Sequence, residues 1–188
     1  MKPSKVRQRL KESLESGRIA TAVRDGFEIS MTDGLVIALT DDWVVLHTLD
    51  AGVYLDEVVM LRIEDISRVW FRDDDAYHHR AMADLSESVA SFDCAANVTA
   101  AHLIKAASEM ADIFAVHLEV LDGEPLCVGR LNRLGEKSFD MNYVGRDGVW
   151  AHGVDRWKYR HITRIEVGGR YMSALNGYAD PYPYEGKS

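Results

Sequence analysis

Trp43 to Phe71 reads WVVLHTLDAGVYLDEVVMLRIEDISRVWF, and Phe139 to Val167 reads FDMNYVGRDGVWAHGVDRWKYRHITRIEV. Moving the first stretch by 96 positions, without a gap, lays Gly52 on Gly148, Val53 on Val149, Val58 on Val154, Ile66 on Ile162 and Arg68 on Arg164. Trp43/Phe139, Tyr54/Trp150, Arg62/Lys158, Ser67/Thr163 and Val69/Ile165 keep size or charge. A constant offset over 29 positions predicts a tandem duplication of one β-rich unit.

Before this stretch, residues 4–16 carry Val6, Leu10 and Leu14 on one helical face, with Ser4 placed to cap and Gly17 to terminate. Short β-branched runs follow: Ile19–Val23, Phe27–Met31, Gly34–Thr40, Trp43–Leu49, Val53–Leu61 and Ile66–Phe71. Asp25-Gly26, Thr32-Asp33-Gly34 and Asp41-Asp42 punctuate them. Residues 72–85 form a second helix behind the aspartates that cap it. The same order returns as a helix over 98–113 behind Asn97, then Phe114–Val120, Leu126–Leu131, Lys137–Val144, Val149–Val154 and Ile162–Val167, with a closing helix at Arg170–Gly177. The expected fold is mainly β with short helices: two tandem five-stranded bent barrels, each preceded and followed by a helix. The expected division is 1–85, a polar connector 86–96, 97–180, and a Pro-interrupted, frayed tail 181–188.

Composition bounds the function. The formal net charge of −8 argues against a broad nucleic-acid surface, whose affinity comes from clustered Lys and Arg. The dense cationic group in the first helix (Lys2, Lys5, Arg7, Arg9, Lys11) reads as the solvated side of an amphipathic helix. Cys94 and Cys127 stand outside any CxxC pair and read as reduced, inert thiols, which suits the cytoplasm. The charged start of the chain lacks a signal peptide's apolar run, and no window reaches the roughly 18 apolar residues of a membrane helix.

The candidate chemistry is thin. Asp75 and His79, like Asp74 and His78, share a helix face and could ligate a metal, but aspartates at a helix start already have a role in capping. His47, His117, His152 and His161 lack a serine or cysteine placed as nucleophile. No glycine-rich phosphate loop or cofactor pattern occurs, so no cofactor and no enzymatic activity are expected. The strand aromatics (Trp43, Tyr54, Trp70, Tyr143, Trp150, Trp157, Tyr159) read as packing, and Arg68 and Arg164 as recurrent salt-bridge partners.

The layout of a helix and a bent five-stranded barrel resembles the Sm-like (SH3-like small-barrel) family. Val120-Leu121-Asp122-Gly123, Gly129-Arg130-Leu131 and Met141-Asn142 are similar to that family's first motif. Arg62-Ile63-Glu64-Asp65-Ile66 and Lys158-Tyr159-Arg160-His161-Ile162 are similar to its second, with Ile63 and Tyr159 where the family has glycine. The resemblance implies single-stranded RNA binding through Arg62, Asn142 and Lys158. The chain also resembles a bacterial group carrying Ile-Thr-Arg-Ile-x-x-Gly-Gly-x-Tyr, here Ile162 to Tyr171, which implies no activity.

The reading that fits the acidity and the missing site chemistry is a non-enzymatic module that binds another protein, as an immunity or antitoxin protein does. Pairing of sheet edges with a second copy is a further option. Single-stranded RNA binding is the alternative, disfavoured by the net charge, and no membrane association is expected.

Overall fold

The computed structural model describes residues 1–27, 30–51, 53–73, 75–122 and 126–184, the side chain of Asp75 excepted. Among the described residues it is mainly β, with ten antiparallel strands and four short helices. Contacts divide it into two compact units, Met1–Thr99 and Ala100–Ser188.

In the first unit α1 (Pro3–Ser16) leads into β1 (Ile19–Val23), β2 (Met31–Leu39), β3 (Trp43–Asp50) and β4 (Tyr54–Arg62). A 3-10 turn (Ile63–Asp65), β5 (Arg68–Phe71) and α2 (Asp75–Asp84) complete it. Helix α1 opens with Lys2 as N-cap and Pro3 as first helical residue, rather than with Ser4 as cap. Proline suits that position because its missing N–H would have no partner there. Gly17 ends the helix at φ 70°, as its position predicts. The strands lie in the order β5-β1-β2-β3-β4. The hydrophobic stripe of α1, Val6 and Leu10, is buried with Ala20, Val36, Val44, Leu46, Val59 and Val69. Each valine or leucine among them is worth about 1.5–3 kcal/mol when taken fully out of water. Met82 of α2 packs with Ile19 and Leu35, so residues of alternating parity on β1 and β2 bury different clusters.

The second unit runs α3 (Ala100–Met110), β6 (Phe114–His117), β7 (Leu126–Leu134), β8 (Ser138–Tyr143), β9 (Asp155–Lys158), a 3-10 turn (Tyr159–His161), β10 (Arg164–Gly168) and α4 (Gly169–Tyr178). Its strand order is β10-β6-β7-β8-β9, the sequence of pairings seen in the first unit. Leu103, Ile104 and Ala107 form the buried side of α3. Met172 and Leu175 of α4 pack with Ile113, Ala115, Val128 and Val144.

Several expectations are corrected. The strands bend at irregularities between Val36 and Ala38, His47 and Leu49, and Leu131 and Arg133, but they form open sheet rather than closed barrels. Thr32-Asp33-Gly34 does not break a strand: it lies inside β2, paired to Ala22, Thr21 and Ala20. The anticipated strand Val149–Val154 is not formed; the chain makes one bridge, Val144 to Trp150, and pairs again only at Asp155. Gly148 (φ 78°) and Gly153 (φ 100°) hold that segment out of extended geometry. The turn at Asp122-Gly123, the start of Phe27–Met31 and the Gly52 correspondence fall wholly or partly outside the described residues.

The gapless alignment also needs a one-residue shift. The two 3-10 turns begin at Ile63 and Tyr159, 96 positions apart. Yet Gly34 pairs with Thr48 where Gly129 pairs with Tyr143, and both members are displaced by 95. Phe139 therefore takes the place of Val44, not of Trp43, and Asn142 that of His47. The extra residue is absorbed between β8 and β9, where the chain leaves the sheet.

Candidate interaction surface

The three residues implicated by the Sm-like resemblance do not form one site. Arg62, at the end of β4, gives Nε and Nη2 to Asp65 at 2.8 and 2.9 Å and Nη1 to Glu64 at 3.1 Å. Burial works against its charge, but the hydrogen bonds and charge of Asp65, with Glu64, raise its pKa further. A guanidinium engaged in this way is a poor phosphate contact.

Asn142 is fully buried on β8. Its Oδ1 accepts from Asn132 Nδ2 at 3.0 Å and from the Tyr182 hydroxyl at 2.7 Å, and its Nδ2 donates to the Gly153 carbonyl at 2.9 Å. The asparagine organises the protein's own chain rather than facing a ligand. Lys158 is exposed on β9 opposite Ser138, four residues along β8 from Asn142 and so about 13 Å away along the strand.

The tail explains the burial of Asn142. Of residues 181–188, expected to fray, the described part, with the two residues before it, is tied down: Asp180 N–H donates to the Gly148 carbonyl, Trp150 Nε1 to the Asp180 carbonyl, and Tyr184 Oη to the Ala151 carbonyl. The Tyr182 ring meets Trp150 edge to face at 4.9 Å and carries the Arg130 guanidinium 4.5 Å above it. The connector is held as well. Glu87 accepts from the Leu55 amide at 3.1 Å, His47 Nδ1 from the Ala90 amide at 2.9 Å, and the Ala96 carbonyl from Asp41 at 2.8 Å.

Asp74 lies outside the described residues, as does the side chain of Asp75; His79 is exposed and His78 buried on α2. Among the described residues no three His, Cys, Asp or Glu side chains converge as a metal site would require. Arg68 is an exposed partner of Asp25 at 2.9 Å. Its counterpart Arg164 is buried beside Glu166, which also faces His117 at 3.1 Å. Burial opposes ionisation of Glu166, yet the His117 hydrogen bond and the Arg164 charge bring its pKa down to about 2. A buried cluster of this kind, with the charges of Arg164 and Glu166 set against each other, is a structural element.

The surface that remains is the outer strand β9. It stands last in its sheet order and pairs with β8 alone, through Ser138–Lys158, Phe139–Trp157, Asp140–Arg156 and Met141–Asp155. Within the first unit, β5 also pairs on one side, with β1. There the Phe71 ring lies under the Arg9 and Arg18 guanidiniums, and the Met1 ammonium donates to the Ser67 carbonyl. Strand β9 carries Asp155, Arg156 and Lys158 exposed. Its position as an outer strand was not legible from sequence, because the expected strand stopped at Val154.

No family model, curated protein or solved structure matches the chain. None of the helices among the described residues is long and apolar enough to cross a membrane.

Proposed function

We propose that the chain is a non-enzymatic interaction module, built from a duplicated, bent Sm-like unit, that binds another protein by strand addition at β9. The observation that carries this reading is the one-sided pairing of β9. A strand bonded on one flank presents alternate N–H and C=O groups on the other, which an extended segment of a partner can take up. The engagement of Arg62 and the burial of Asn142 favour a protein partner over single-stranded RNA, because two of the three expected RNA contacts are already used within the fold.

A photo-crosslinking amino acid placed at Lys158 tests the proposal in the protein's native lysate, with Glu12 on α1 as control. The expected result is a discrete crosslinked protein at 158 that the control lacks. Equal yields at both positions, or RNA as the crosslinked species, contradict it.

A further inference from the structure

Between Arg130 and Arg160 there are seven Arg or Lys and four Asp or Glu, in a chain whose net charge is −8. The fold gathers several of these cations beside β9. Arg133 on β7 and Arg156 on β9 both reach Asp140 of β8: Arg133 Nε at 3.3 Å, Arg156 Nε at 2.7 Å and Arg156 Nη2 at 3.0 Å. The carboxylate is 9% exposed, whereas the two arginine side chains are 63% and 62% exposed. The hydrogen bond from Arg156, with the charge of both arginines, holds the Asp140 carboxyl below the usual carboxylate range. One anion between two guanidiniums leaves a net positive charge at the surface.

Lys158 follows two residues after Arg156 and so projects from the same side of the strand. Lys137, exposed in the β7–β8 turn, accepts from the Tyr159 amide through its carbonyl and so sits beside the end of β9. The field is felt locally: burial and then the charges of Arg160 and Lys158 lower the pKa of His161. Of the neighbouring acids, Asp155 is on the opposite side of β9 from Arg156, and Glu136 shares the turn with Lys137 and offsets that one cation, leaving Arg133, Arg156 and Lys158 against Asp140.

Resting on the strand-addition reading above, we infer that the segment received by β9 is acidic, with carboxylates at every second residue. An added strand repeats its side chains with a period of two, so alternate acids face Arg156 and Lys158 together, whereas consecutive acids would send half to the other side. Charged outer strands discourage indiscriminate pairing. Here the same charges select the sign of the strand that does add. The negative charge elsewhere on the chain is screened beyond roughly 8–10 Å at physiological salt, so the local cations decide.

The test is fluorescence anisotropy of the full chain with a labelled peptide of about ten residues alternating Glu with Val or Thr. Three further peptides serve as comparisons: Gln in place of Glu, the same acids placed consecutively, and a central Pro. A single-stranded oligothymidylate is the nucleic-acid arm. The expected result is salt-sensitive binding of the alternating Glu peptide, weakened about tenfold by Lys158→Glu or Lys137→Glu, as turning one surface attraction into a repulsion implies, and at least as much by the Gln peptide, which carries no charge to attract. Thermal unfolding of each variant confirms that the fold is kept.

If the Gln peptide binds as tightly as the Glu peptide while the Pro peptide does not bind, the charge inference is overturned and strand addition survives. If the Pro-containing Glu peptide matches the unbroken one, strand addition itself fails. Equal affinity for alternating and consecutive acids, tighter binding of the oligonucleotide, or no binding of any peptide each overturns the inference.

Discussion

At Gly129 the fold leaves no room for a side chain: a Cβ there would stand 1.9 Å from the Asn142 carbonyl oxygen. Gly34 meets the same obstacle at 2.6 Å from the His47 carbonyl, at the corresponding place in the first unit. In both cases the opposing atom is backbone, which cannot rotate away. Gly129→Ala should therefore destabilise the protein by about 2–3 kcal/mol or more. Gly177 in α4 has nothing within 4 Å, and Gly177→Ala should stabilise by about 0.5–1 kcal/mol. Chemical denaturation of the two variants beside the parent protein measures both, and equal effects would refute the steric account. Tyr182→Phe removes one of the two donors to the Asn142 oxygen and should cost about 1 kcal/mol, read in the same way.

At the scale of single elements, the connector 86–96 behaves as part of the first unit because His47 accepts from the Ala90 amide through Nδ1. That bond requires an unprotonated nitrogen. Burial lowers the His47 pKa, with Glu87 and Asp56 working against it. The folded state thus prefers neutral imidazole, so the stabilisation is complete above the ordinary histidine value and fades as pH falls below about 6.5. Amide exchange over 86–96 should quicken between about pH 7.5 and pH 5.5 relative to β1–β3, beyond the intrinsic pH dependence of exchange. His47→Gln should remove the difference, and a connector indifferent to pH would contradict this account of its attachment.

The elements themselves were unevenly legible in the sequence. The 96-position offset read from the sequence holds at the two 3-10 turns, which themselves were not anticipated, and helix α1 and its glycine stop follow from local chemistry. The early end of the pairing after Tyr143, the one-residue shift of β8 and the docking of residues 179–184 do not. They depend on glycines of positive φ and on partners 30 or more positions away, such as Trp150 with Asp180. The candidate site shows the same division. The sequence signalled Lys158 as a cation, but only the pairing of β9 makes it part of an outer strand. Arg62 looked equally available and is engaged by two acids immediately after it.

In the whole molecule an acidic chain carries a cationic stretch near its second 3-10 turn, and an outer strand runs through that stretch. On the proposed reading, β9 receives another strand. The most direct measurement is amide exchange over residues 155–158 with and without a saturating concentration of the alternating Glu peptide. The account predicts marked slowing there, with β1–β3 unchanged. Exchange in β9 that stays the same while the peptide is bound would contradict it.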